Sequence, residues 1–154
     1  MSKTLIAGAT GLSALAGADL GASAFRPLPF ETIVAFAKAT GDHQWIHVDR
    51  ERIAKESPFG MPIAHGYLTV SLIAGQFFEM LDLQGFKLVI NYGCNKVRFP
   101  APMKVDASWR MAMKLSEVKP VGEWLEAIFV ATIEVEGSPK PACVAECVYR
   151  FLPA

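Results

Sequence analysis

The 154-residue sequence lacks an excess of charge: 15 Lys and Arg stand against 15 Asp and Glu, and no two basic residues are adjacent. That excludes the dense phosphate footprint of a nucleic-acid binder and a polybasic membrane patch, while leaving room for a local anion site. Cysteine is scarce and odd in number, Cys94, Cys143 and Cys147, with no Cys-x-x-Cys. A disulfide framework is thereby excluded, and a reduced, cytoplasmic chain is expected. No internal repeat, low-complexity tract or linker interrupts the sequence. Long apolar runs are also missing. Thr4 to Ala18 imitates a targeting signal, but it is too short to span a bilayer, is diluted by Gly8, Gly11 and Gly17, and is followed by Asp19. It is expected to form a short helix in a peripheral N-terminal segment, residues 1–19, of one domain spanning 1–154.

What is present is apolar side chain: 52% of residues are hydrophobic and only 19% charged. This supplies a full core and excludes disorder. The surplus of apolar over charged residues predicts a subunit interface or ligand tunnel, hence a homodimer.

Helical and strand periods divide the chain. Phe30, Ile33, Val34 and Ala37 have helical spacing, with Pro29 at the start and Gly41 as a left-handed stop. A second short helix is expected from Asp49, as N-cap, to Glu56, before Ser57-Pro58-Phe59-Gly60. Gly66 to Leu81 is apolar nearly all round, so it predicts a helix buried on most of its faces. Lys87–Phe99, Lys104–Ser116, Trp124–Glu136 and Lys140–Phe151 are long segments rich in Val, Ile, Phe and Tyr, bounded by Pro, Gly or Ser. Along the last, Cys143, Ala145, Cys147 and Tyr149 alternate with Val144, Glu146, Val148 and Arg150. Antiparallel strands around one buried helix make an α+β domain.

Candidate chemistry concentrates in Gly41-Asp42-His43-Gln44-Trp45-Ile46-His47-Val48-Asp49, between two helices. His43 and His47 would share a helical face and suggest metal binding, but Gln44 stands where a zincin motif has Glu, and Gly41 breaks the helix. Asp42 and His47 would suffice to share a water as general acid and base; alternatively, Asp42 caps the preceding turn and His47 is a satisfied buried histidine. At His65-Gly66 the free N–H groups of a helix start could form an oxyanion hole, or Gly66 could simply permit close packing with His65 bonded to a carbonyl. Lys96 and Arg98 share a strand face and would receive phosphate or carboxylate, or else form a solvated surface. The cysteines read as core residues.

The segments GDHQWIHVD at 41–49, PFGMPIAHGYLT at 58–69 and NYGCNKVRFPAP at 91–102 together resemble the MaoC-like (R)-specific enoyl-thioester hydratases, in particular their branch similar to nodulation protein N. The resemblance covers roughly Leu20 to Phe151. It implies a hot-dog fold, a long central helix wrapped by a curved antiparallel sheet, with two protomers paired to complete the active sites. It puts the catalytic Asp on Asp42, the catalytic His on His47 and the oxyanion glycine on Gly66; His65, Tyr67, Lys96 and Arg98 are expected as substrate-binding residues. The implied reaction adds water to a trans-2-enoyl thioester to give an (R)-3-hydroxyacyl thioester, or reverses that step. No metal or redox cofactor is implied; coenzyme A or acyl carrier protein enters as part of the substrate. Gln44-Trp45 departs from the Asn-Pro that many members carry there. Asp49 is read as a helix cap, and Leu68, Leu72, Ile73 and Phe77 as core or tunnel residues.

Two other functions fit the same fold. A thioesterase would commonly place a carboxylate on the central helix, and Gly66 to Phe78 contains none. A binding module without turnover would not need Asp42, His47 and Gly66 together.

Overall fold

The apolar periodicity resolves into five helices and eight strands among residues 3–154, the part of the chain that the computed structural model describes. Helix α5, Gly66–Met80, lies against a six-stranded sheet of antiparallel pairs in the order β2-β6-β7-β8-β5, with β3 also pairing β6. The strands are β2 Asp19–Ala22, β3 Arg26–Pro27, β5 Phe86–Arg98, β6 Ser108–Val121, β7 Trp124–Val135 and β8 Cys143–Pro153. Alternation along β8 behaves as its sequence requires: Cys143, Ala145, Cys147 and Tyr149 are all buried. On the other face Arg150 pairs with Glu126 at 2.8 Å, and Arg110 with Glu134 at 2.7 Å.

The core forms where α5 meets this sheet. Phe77 stacks flat on Tyr149 at 4.0 Å and meets Phe129 edge-on at 5.0 Å. Burying a side chain of that size is worth about 1.5–3 kcal/mol, which makes this cluster a principal fixture of the helix. Leu68 and Ile73 join the same cluster, so they act as core residues. The helix is expected to be buried on most of its faces, and on a single chain α5 leaves Tyr67 and Phe78 exposed on one of them.

Helix α2, Phe30–Thr40, begins after Pro29 and ends at Gly41, which takes the left-handed φ of 77°. That conformation suits glycine and turns the chain sharply into Asp42. A one-turn helix α3, Trp45–Val48, follows. Helix α4, Arg50–Glu56, is capped by Asp49, whose side chain accepts from the Arg52 N–H at 2.9 Å, as expected.

Two expectations need correction. The N-terminal segment holds the expected short helix, α1, Gly8–Ala14, but it is not peripheral, because Thr4–Ala7 also forms a strand, β1, pairing in parallel with β4, Leu81–Gln84. Ile6 and Leu12 are fully buried in the common core, which ties the segment in; residues 1–2 lie outside the described residues. The second long strand starts at Ser108 rather than Lys104 and runs on past Ser116, through Pro120 to Val121. Strand β2 pairs with β6 at Ala112 and Lys114, and β3 at Ser108 and Trp109, so beyond them β6 has one open edge, where proline's missing N–H is tolerated.

Candidate active site

Asp42 and His47 stand five residues apart, just past α2 and on α3, and Gly66 opens α5; His47 and Gly66 line one cleft, with Asp42 beside His47. Asp42 sits just past the left-handed stop of α2, exposed, with one carboxylate oxygen accepting from the Gln44 N–H at 3.3 Å. His47 is buried on α3, and its Nδ1 lies 2.7 Å from the Ile63 carbonyl oxygen. A carbonyl can only accept, so Nδ1 carries the hydrogen and Nε2 keeps the free lone pair. Burial is the largest influence on this imidazole and lowers its pKa from 6.5; the Ile63 hydrogen bond partly raises it, His65 lowers it and Asp42 raises it. His47 is therefore a neutral base near pH 7.

Gly66 is the first residue of α5, after His65 in extended conformation with no side-chain cap. Its N–H has no acceptor among the described residues and carries the partial positive charge of a helix start. Glycine is required here by a close approach: a Cβ would stand 2.9 Å from Cε2 of Phe99. Phe99 opens the connection between β5 and β6, which doubles back on the segment before α5. There the Ala64 N–H donates to the Met103 carbonyl at 2.8 Å and the Val105 N–H to the Pro62 carbonyl at 2.9 Å. A cleft of about 330 Å³ results, lined by His47, Ile63, Gly66, Thr69, Phe99 and Met103 among others. Its walls are mainly apolar, with an imidazole and a helix start as the polar features, a composition suited to an acyl group carrying one reactive carbonyl.

One ring nitrogen of His47, one of His65 and a carboxylate oxygen of Asp42 all lie within 4.8 Å of one another. Two hydrogen bonds of about 2.8 Å meeting at a tetrahedral oxygen span about 4.6 Å, so groups held within this limit are close enough to share one water. A metal fits less well. The two rings stack at 3.8 Å with 28° between their planes, so their in-plane lone pairs run side by side instead of converging on one ion. His43, the other half of the sequence-based metal suggestion, is exposed and outside this cluster.

The expected substrate-binding residues separate. His65 is buried, with its Nε2 donating to the Asp42 carbonyl at 3.0 Å, so the alternative of a carbonyl-bonded histidine is the one observed. Tyr67 is 77% exposed at the start of α5. Lys96 and Arg98 pair in register with Glu146 and Val144, on the outer face opposite the buried Cys147 and Tyr149. They form a solvated sheet surface and do not line the cleft, because the sheet's pleat turns them away from α5. Sequence reasoning missed Phe99, although it lies inside the third motif; its large apolar side chain just before Pro100 was the available signal. Trp45, at the departure from Asn-Pro, lies under the Arg52 guanidinium at 4.4 Å and does not line the cleft.

Residues 13–135 match the family described as the MaoC like domain. The chain is 48% identical over 142 residues to 3-hydroxyacyl-thioester dehydratase Z of Mycobacterium tuberculosis, covering 92% of this chain and 93% of that protein. It is 40% identical to nodulation protein N of Rhizobium leguminosarum bv. viciae, over 86% of this chain and 83% of the relative. Among solved structures, the unliganded R-hydratase of Pseudomonas aeruginosa aligns with a TM-score of 0.73 at 20% identity, over 90% of this chain and 83% of that one. At that identity the likeness establishes the fold, the hot-dog arrangement of a long helix against an antiparallel sheet.

Proposed function

The chain belongs to the MaoC-like dehydratase family, and we propose that as a hydro-lyase it adds water to trans-2-enoyl thioesters, or removes it from (3R)-hydroxyacyl thioesters, through Asp42, His47 and Gly66. The observation that carries this reading is a carboxylate and a neutral imidazole held within 4.8 Å of one another near a free helix N-terminal N–H. The thioester carbonyl accepts from the Gly66 N–H, which makes C3 electrophilic and stabilises the enolate-like charge that develops on attack. Asp42 and His47 each accept a hydrogen from one water, directing its oxygen lone pair at C3. As the C3–O bond forms, the pair takes one proton from the water and returns one to C2. The two groups act as a coupled unit, so the roles of acid and base belong to the pair.

Water addition leaves the overall oxidation level unchanged, so the reaction calls for no redox cofactor; coenzyme A or acyl carrier protein arrives with the acyl group. The free thiols of Cys94, Cys143 and Cys147 suit a reducing, cytoplasmic compartment. No helix among the described residues is long and apolar enough to cross a membrane. We also infer a homodimer, from the apolar side chains that one chain leaves exposed on α5 and β5.

The test is loss of the ultraviolet absorbance of crotonyl-CoA, with chiral analysis of the product and a parallel assay for free thiol. The wild type is expected to form the (R)-3-hydroxy product without thiol, and Asp42→Asn and His47→Ala each to lower the rate by about a hundredfold or more. Thiol release would make the chain a thioesterase. Stabilisation by acyl-CoA without turnover would make it a binding module.

A further inference from the structure

We propose that His65 is a positioning residue that holds Asp42, His47 and the Gly66 N–H in one fixed arrangement. This rests on the hydratase reading of the same cleft. The residues around Asp42 have little else to hold them. Among the described residues, the backbone hydrogen bonds of 41–44 are local, Gly41 to Ala37, His43 to Gly41 and His47 to Gln44; the Asp42 N–H to the Thr40 hydroxyl is long at 3.4 Å. The His65 Nε2–H to Asp42 carbonyl bond, 3.0 Å, is the one that ties this turn to a distant part of the chain.

The same ring meets the second member of the pair. It stacks on His47 at 3.8 Å, while Phe36 of α2 supports it at 5.1 Å. His65 is itself fixed: it is 2% exposed, and its carbonyl accepts both the Thr69 N–H at 3.0 Å and the Thr69 hydroxyl at 3.1 Å. Its peptide leads directly into Gly66. Any displacement of His65 is therefore felt at the carboxylate's backbone, at the imidazole face and at the oxyanion donor together. The arrangement also leaves His65 Nδ1 buried without a partner. Phenylalanine would fill the same space without that unpaired acceptor, so packing alone does not account for an imidazole here. With Nε2 engaged by the Asp42 carbonyl and Nδ1 buried, His65 has no ring nitrogen left to offer a substrate, so its role is positional.

The titratable groups adjoining His47 are Asp42 and His65; the other cleft-lining side chains, such as Ile63, Phe99 and Met103, do not titrate. The experiment pairs nitrogen spectroscopy with kinetics on the full chain. Two-bond proton–nitrogen spectra of the wild type should show His65 as the Nε2–H tautomer and His47 as the Nδ1–H tautomer. With crotonyl-CoA, His65→Phe should lower kcat by about a hundredfold, the scale of a misplaced reacting group, with KM changed less than about twofold. His65→Gln, which restores an N–H near the position of Nε2, should regain at least about tenfold over the Phe variant. Wild-type kcat in His65→Phe, equal losses in both variants, a rise in KM in place of the fall in kcat, or a His65 Nδ1–H tautomer would each overturn the proposal. Should the Phe variant not fold, the tautomer and the Gln variant decide: activity below a hundredth of wild type in His65→Gln overturns it. A wild type inactive on enoyl thioesters defeats the hydratase reading, whereas the tautomer spectra still test the placement of His65.

Discussion

His47 is the residue whose ionisation should govern the cleft. Its Nδ1–H is committed to the Ile63 carbonyl, so a second proton would occupy Nε2 and remove the lone pair that the proposed mechanism needs as acceptor. Burial, the largest influence, sets its pKa below 6.5. The unfolded imidazole therefore takes up its proton at higher pH than the folded one. As pH falls from 6.5 through the native value, the active neutral form is lost and the site's contribution to stability declines with it. The pH profile of kcat/KM on crotonyl-CoA should stay flat through neutrality and bend down with a midpoint below 6.5. Because Asp42 pulls the His47 pKa upward, Asp42→Asn should shift the His47 titration, followed by its imidazole proton resonance, to still lower pH. A midpoint above 6.5 in the wild type would contradict a buried neutral base. Residue type and spacing made Asp42, His47 and Gly66 candidates with a structural alternative open for each, and it is the resemblance of the three motifs taken together that implies their roles. His65 and Phe99 act through long-range packing, one ring on His47 and the other on Gly66, which no local pattern encodes.

Between elements, the contact that shapes the cleft joins the start of α5 to the connection after β5. Gly66 lies under the ring of Phe99, and the neighbouring 62–64 segment pairs with residues 103–105. Gly66→Ala would retain the oxyanion N–H and should favour the helix by up to about 1 kcal/mol, so the fold is expected to survive. Its Cβ would displace the Phe99 ring, and kcat/KM should fall by about tenfold, less than loss of an oxyanion donor would cause. In Gly66→Ala/Phe99→Ala the clash disappears. The double variant should be no worse than Phe99→Ala alone, a non-additivity measured by a double-mutant cycle. Additive losses would show that the alanine harms the donor itself. Most elements were readable for comparably local reasons: Pro29 and Gly41 bracket α2, Asp49 caps α4, and alternating burial marks β8. The parallel pair β1–β4 was not, since Leu81–Gln84 follows α5 without a breaker until Gly85, and a pairing across the length of the helix leaves no period in either segment.

For the whole molecule, one chain is an incomplete account of its own apolar surface. Tyr67 is 77% exposed and Phe78 50%, and they lie about three turns apart on one side of α5. Strand β5, 13 residues long, closes the sheet with one edge unpaired, and it exposes Leu88 at 48% and Tyr92 at 57%. The sequence predicted α5 to be buried on most faces, and the exposed side of the helix is the part of that expectation that a single chain does not meet. A second copy would cover it. A long open edge beside exposed aromatics is also a surface that isolated proteins protect against uncontrolled pairing, and a closed twofold dimer does so. Sedimentation at micromolar concentration should give twice the mass of the chain. Phe78→Asp lies outside the cleft, and it should shift the protein to monomer while far-ultraviolet circular dichroism stays unchanged. If the wild type sediments only as a monomer, the dimer is wrong and the exposed aromatics of α5 require another partner. If Phe78→Asp remains dimeric, the pairing runs through a surface that excludes this end of the helix.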